Sequence, residues 1–263
     1  MQLTFASYNI HKAVGLDGRR DPDRIIAVLR ELHADVIALQ EADRRFGERE
    51  SVLPRAMLED TPWRAAPVAK RPRSIGWHGN ALLVRRDIEI AHAEPLDLPT
   101  LEPRGAVRAD LLVEGRRLRV LGAHLDLSGL RRRDQVRAML RHCEQCETAC
   151  PTVLMGDFNQ WGRGALREFV APWQALTIGN SFPSQRPLAA LDRIVHSGEW
   201  TCTSLAVHHS ALAAAASDHL PVRATLELPA GILGIVYLTK QGWRSTLLRR
   251  DRPARMRCSN FRS

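Results

Sequence analysis

The chain has 263 residues, 44% of them hydrophobic and 25% charged, which suits one large soluble domain or two small ones. Its longest apolar run, GILGIVYL at 231–238, is far short of a bilayer span, and MQLTFASYNI shows no secretory pattern, so a soluble, cytoplasmic protein is expected. The net charge of +9 is uneven: residues 230–263 hold eight Lys/Arg against Asp251, leaving about +2 for residues 1–229 and excluding a broadly basic, DNA-tracking body.

In chain order, a strand-like run from Leu3 to Tyr8 comes first. Asp21-Pro22 then reads as an N-cap with Pro at the first helical position, followed by an apolar stripe of Ile25, Ile26, Leu29 and Leu32. Further strand-like runs are Val36 to Leu39, Ala81 to Val84, Val107 to Val113 and Leu118 to Leu125. Glu114-Gly115-Arg116 joins the last two as a hairpin. A helix is expected from about Arg132 to Ala149, then strands at Val153 to Met155, Leu191 to Val195 and Val222 to Leu228. Hairpins mixed with helical crossovers predict a layered, mixed α/β (α+β) protein with mixed sheets. One domain over 1–229 is expected, with 230–263 as a basic tail that is either solvated and disordered or held to phosphate backbones or anionic lipid heads.

Cys143, Cys146 and Cys150, with His142, invite a metal-site reading. Val136, Met139, Leu140 and the same three cysteines also fall at helical spacing, and a core stripe is the favoured expectation.

The polar residues gather at strand ends. The stretch VLMGDFNQW ends an apolar run in Asp157 and Asn159, two residues apart and so on one side of an extended chain. Other runs end similarly: FASYN at Asn9, DVIALQE at Glu41, RVLGAH at His124; Asp192 opens one strand and Ser217-Asp218-His219 precedes another. Each alone reads as a turn, cap or surface residue; together they suggest one meeting place. Asn9, Glu41 and Asp218 offer hard oxygen donors suited to Mg²⁺ or Mn²⁺, which would polarise a phosphoryl group. His219 is a candidate general base oriented by Asp192. Asp157 and Asn159 could position water and support a developing negative oxygen, and His124 could bond the scissile phosphate. The reaction read from these residues is metal-assisted phosphoester hydrolysis by water.

SYNIH, ALQE, GAHLDL, GDFN, LDRIV and SDHLP, in this order, resemble the endonuclease/exonuclease/phosphatase superfamily over residues 1 to about 228. The resemblance implies a four-layer α/β/β/α sandwich of two mixed sheets with helices outside and the active site at one end. It also implies Glu41 and Asn9 as Mg²⁺ ligands with Asp218 near the metal, Asp157 and Asn159 at the nucleophile, Asp192 and His219 as an acid–histidine pair, and His124 at the phosphate. The residues left for substrate are Arg104, His11, Lys12 and Arg19 as phosphate grips, Asn80 beside His124, and Trp161 as a stacking surface. The expected activity is that of a nuclease or phosphodiesterase, on nucleic acid or a phospholipid head group, in a monomer. The alternatives are a lipid head-group hydrolase and a non-catalytic phosphate- or membrane-binding module.

Overall fold

The computed structural model describes residues 1–44, 47–100, 104–146, 148–162 and 164–229. They belong to a compact unit spanning Met1–Gly231; the basic stretch 230–263 and the apolar run within it lie outside the described residues.

The first half contains β1 (Gln2–Asn9), α1 (Pro22–Leu32), β2 (Val36–Gln40), α2 (Arg55–Glu59), β3 (Trp63–Ala65), β4 (Ala81–Arg85), β5 (Glu89–Asp97) and β6 (Gly105–Val113). The second contains β7 (Arg116–His124), α3 (Gly129–Gln145), β8 (Thr152–Asp157), β9 (Gln174–Ala175), β10 (Asp192–His196), β11 (Thr201–Val207), α4 (Ala211–Ala216) and β12 (Val222–Glu227). Two six-stranded sheets result, in the orders β11-β12-β1-β2-β4-β3 and β5-β6-β7-β8-β10-β9. Both are mixed: β1 and β2 run parallel, as do β7 and β8, among otherwise antiparallel pairs.

Period-2 alternation builds the layers. Leu3 and Phe5 of β1 join Val36 and Ala38 of β2, Val120 of β7, Val153 and Met155 of β8 and Ile194 of β10 in the core between the sheets. The intervening Ala6, Tyr8, Ile37 and Leu39 pack with Ile25, Leu29 and Leu32 of α1 outside the first sheet. Leu121, Leu154 and Val195 pack with Val136 and Met139 of α3 outside the second. Asp21 caps α1, its carboxylate accepting from the Arg24 amide at 3.1 Å, as the Asp-Pro signal predicts.

Strands β3, β5, β9 and β11 escape the sequence reading. β5 and β11 carry many exposed polar residues, β5 contains Pro95 and β11 a bulge at Cys202/Ser204. Edge strands tolerate all of these because one side has no partner, and so show little apolar alternation.

The cysteine stripe needs correction. α3 ends at Gln145; Cys146 turns extended as its C-cap and Cys150 lies beyond the helix. Only Cys143 continues the stripe of Val136 and Met139 against the core. Burial raises its thiol to about 12 and that of Cys150 to about 11, and among the described residues these cysteines form no group of three or more ligand atoms close enough to share an ion.

Beneath α3 lies a buried charge cluster. Asp110 of β6 accepts from Arg119 Nε at 2.8 Å and from Arg108 Nε at 3.0 Å, and Arg119 Nη1 reaches the Cys143 carbonyl at 3.5 Å. Burial opposes charge on Asp110, but its two guanidinium partners prevail and lower its pKa to about 2.

Candidate active site

The alternation that fills the core between the sheets also delivers the polar residues. Asn9 continues the parity of Leu3 and Phe5, His124 that of Leu118 and Val120, Asp157 that of Val153 and Met155, and Asp192 that of Ile194. All four therefore lie on the inner faces, at the end where the apolar layer stops. Register aligns them: His124 sits opposite Asp157 in the parallel β7–β8 pair, and Asp192 opposite Asp157 in the antiparallel β8–β10 pair. Gly156 permits the close approach, since a Cβ there would meet the Ala123 carbonyl at 1.8 Å.

Asp157 is the hub. Its Oδ2 accepts from Asn9 Nδ2 at 3.0 Å, which links the two sheets, and lies 3.4 Å from His124 Nε2 and 3.7 Å from His219 Nε2. Its Oδ1 accepts from the Asn159 amide at 2.8 Å. Burial opposes the carboxylate, but the two imidazoles and these donors hold its pKa below the usual range.

His219 Nδ1 lies 2.9 Å from Asp192 Oδ2, which also accepts from Ser181 Oγ at 2.6 Å. Burial lifts the Asp192 carboxyl, while these donors pull the other way; with both on one oxygen we assign the ionised form. Burial likewise disfavours charge on His219, yet Asp192, then Asp157 and Asp218, overrule it and push the imidazole up to about 10. His124 behaves oppositely. Burial dominates and keeps it neutral, below the ordinary histidine range.

The other residues named from sequence divide. Glu41, at positive φ of 56°, receives the Lys12 ammonium and is held ionised against burial by that bond and by the nearby His124. Asp218 Oδ1 lies 3.9 Å from His11 Nδ1, whose nearer partner is the Val14 carbonyl at 3.1 Å. Arg104 donates to the Leu125 carbonyl at 2.9 Å, which also accepts from Asn159 Nδ2 at 2.8 Å. The Asn159 amide is thus committed to the β7 loop, and its backbone N–H, not its side chain, serves Asp157. Asn80 is corrected outright: it is fully buried and donates to the Gly105 and Trp77 carbonyls, a strut between β4 and β6 rather than a surface for substrate. Trp161 stands exposed, its ring 6.4 Å from Phe182, whose ring in turn lies 4.8 Å from His219.

Sequence reasoning missed Ser181, Phe182 and Ser217 as supports. Ser217 Oγ donates to the Asn9 carbonyl at 2.7 Å, tying the loop before His219 to the end of β1. Only Ser217 was visible beforehand, inside SDHLP; Ser181 and Phe182 lie in a loop with no periodic signal. Ser181→Ala is expected to lower kcat about tenfold with KM nearly unchanged, since a charge-assisted bond on Asp192 contributes about 1.5–3 kcal/mol and about 1.4 kcal/mol is a factor of ten. Steady-state kinetics beside a thermal melt separates this from loss of fold.

A model of the Endonuclease/Exonuclease/phosphatase family matches residues 6–219. The chain belongs to this family. Its members hydrolyse phosphoesters, acting as nucleases and phosphatases. No curated protein matches the chain significantly by sequence. Among solved structures, a Bacteroides vulgatus endonuclease/exonuclease/phosphatase superimposes with TM-score 0.68 at 16% identity, covering 87% of this chain and 100% of that one. D. rerio TDP2, complexed with single-strand DNA product, gives 0.66 at 16% identity, covering 86% and 99%. A Bacteroides thetaiotaomicron mannosyl-6-phosphatase gives 0.66 at 19%, with the same shares, 86% and 99%. These likenesses establish the shared fold: two mixed sheets in a sandwich with helices outside.

Family members typically depend on a divalent metal. The donors at this site fit one. Asp157, Asp192 and His219 form the only group of three or more His, Cys, Asp or Glu among the described residues whose ligand atoms all lie within 4.8 Å of one another. Glu41 already holds a cation, the Lys12 ammonium, so its carboxylate is aimed where positive charge is accepted.

Proposed function

We propose that this family member is a divalent-cation-dependent phosphodiesterase in which water attacks phosphorus. The observation that carries the reading is the continuous chain Ser181–Asp192–His219–Asp157–Asn9, which crosses from one sheet to the other with His124 beside it. Glu41, Asn9 and Asp218 are assigned to hold Mg²⁺ or Mn²⁺, because hard oxygen donors suit these ions better than a histidine–carboxylate pair whose shared oxygen is already satisfied. Bound there, the cation would neutralise phosphate charge and act as a Lewis acid.

The chain's own residues supply the rest. Asp192 orients the His219 ring so that Nε2 of the neutral imidazole, facing Asp157, takes the proton of the attacking water, and Asp192 then stabilises the imidazolium that forms. Asp157, kept ionised, orients that water. Neutral His124 and the Arg104 guanidinium stand at the developing negative oxygens. Glu41, now paired with Lys12, would hold the cation instead, and the Lys12 ammonium could then meet phosphate.

The test is hydrolysis of bis-p-nitrophenyl phosphate and p-nitrophenyl phosphate with Mg²⁺, with Mn²⁺ and with a chelator. Diester cleavage abolished by chelator and restored by Mg²⁺ or Mn²⁺ is expected. Activity that survives exhaustive chelation would overturn the cation assignment, and monoester cleavage alone would make the protein a phosphatase.

A further inference from the structure

Seven large hydrophobic side chains stand exposed among the described residues, and five of them belong to loops, or to the first turn of α3, near the catalytic residues. Leu16, Leu127, Leu130, Trp161 and Leu188 are 41%, 71%, 75%, 70% and 63% exposed; Val170 and Leu205 belong to other segments. Each of the five is tied to the site by a short step. Leu127 comes two residues after Leu125, whose carbonyl Asn159 and Arg104 share, and Leu130 opens α3 just beyond. Trp161 meets Phe182, the ring against His219, and the Leu188 amide donates to the Phe182 carbonyl at 2.8 Å. Leu16 donates its amide to the Ala215 carbonyl at 3.1 Å, two residues before Ser217.

Arginines flank these tips. Arg19 and Arg20 follow Leu16, Arg131 follows Leu130 and Arg186 precedes Leu188. The acids in the same loops are engaged elsewhere: Asp17 with Arg24 at 3.0 Å, Asp126 with the Ser128 amide at 2.9 Å. Grouped apolar tips beside basic stems match an interface of hydrocarbon and anionic head groups, where Trp and Arg settle at the boundary. A nucleic-acid surface fits less well. Leucine offers no π-face on which a base could stack.

We propose that this rim docks on the surface of an anionic phospholipid bilayer and presents the site to the phosphodiester of a lipid head group. The substrate part rests on the hydrolase reading; the docking part does not. Leu127, Leu130, Leu188 and Trp161 enter the head-group region while Arg131 and Arg186 meet lipid phosphates.

The full chain is sedimented with vesicles of phosphatidylcholine alone and with added phosphatidylglycerol, and its affinity for a single-stranded oligonucleotide is measured alongside. Binding to the anionic vesicles is expected. The triple variant Leu127→Ser/Leu130→Ser/Leu188→Ser should lower that binding at least about tenfold while hydrolysing a soluble diester at the wild-type rate. Arg131→Gln/Arg186→Gln should reduce the preference for anionic over zwitterionic vesicles. A wild-type protein that ignores anionic vesicles overturns the proposal. So does a triple variant that sediments like the wild type, since residues 230–263 would then be the attachment. Loss of oligonucleotide affinity with vesicle binding intact would reassign the rim to nucleic acid. Vesicle binding that depends on the leucines in a protein inactive on every diester would leave docking standing and remove the hydrolase reading.

Discussion

His219→Ala is expected to lower kcat on a phosphodiester about 10²- to 10⁴-fold and to leave the fold intact. The ring, carried by the loop before β12 of the first sheet, meets two neighbouring strands of the second: Nδ1 lies 2.9 Å from Asp192 of β10 and Nε2 lies 3.7 Å from Asp157 of β8. No neighbouring residue can replace it. His124, the other imidazole against Asp157, approaches from the β7 side without the Asp192–Ser181 support that orients His219. The fold should survive because the apolar core between the sheets does not use His219, and because a buried Asp192 that loses its partner can take up a proton. A variant with wild-type turnover would end the general-base assignment. pH provides a second reading. A base must be neutral to accept a proton, and Asp192, Asp157 and Asp218 hold the His219 proton up to about 10 in the cation-free protein. NMR titration after chelation should therefore show an imidazole still charged at pH 8, and adding Mg²⁺ should lower its midpoint, because a cation on the surrounding carboxylates removes the charge that stabilises imidazolium. A midpoint near 6.5 without metal would contradict the carboxylate environment of His219.

Asp110→Ala should be the most damaging single change for stability, costing about 3–5 kcal/mol by urea denaturation. The carboxylate satisfies two guanidinium groups at once, and the Arg119 side chain is only 2% exposed. Among the described residues, removing it leaves Arg119 without a carboxylate partner and Arg108 with Glu94 alone. The sign of the pH dependence follows from the depressed pKa. Asp110 titrates near 2 when folded and near 3.9 when unfolded, so its contribution of about 2–3 kcal/mol is complete above about pH 5 and is lost as pH falls toward 2. Replacing all three charged residues by apolar ones of similar volume should cost far less than the single change, since the penalty comes from uncompensated charge. If Asp110→Ala unfolds at the wild-type urea midpoint, the cluster carries no stability.

The two expectations differ in how visible their residues are in the sequence. Asn9, Glu41, His124, Asp157, Asp192 and His219 stand at the ends of apolar runs or inside short polar signatures, so their convergence is legible before any fold is known. Asp110 sits in the middle of RADLLV, where alternation alone assigns it to an outer face without saying that α3 covers it. Ser181 and Phe182 lie in an aperiodic loop, and only its folding back places a hydroxyl on Asp192 and a ring on His219. Asn80 shows the converse. Its position near a catalytic motif suggests substrate contact, but the turn around Gly79 directs it inward to the Gly105 carbonyl.

What the sequence determined by itself is the local alternation: which face of each central strand is apolar, and that polar residues interrupt that face at one end. The edge strands were beyond it because a strand with one free side needs no apolar alternation. Tertiary structure alone decided the pairing of His124 with Asp157 across β7 and β8, the bond from Asn9 to Asp157 between the sheets, and the exposure of Leu127, Leu130 and Leu188. The physical reason is range. Side-chain periodicity acts over a few residues, whereas Asn9 and Asp157 are separated by 148 positions and meet only because two sheets stack on a shared core.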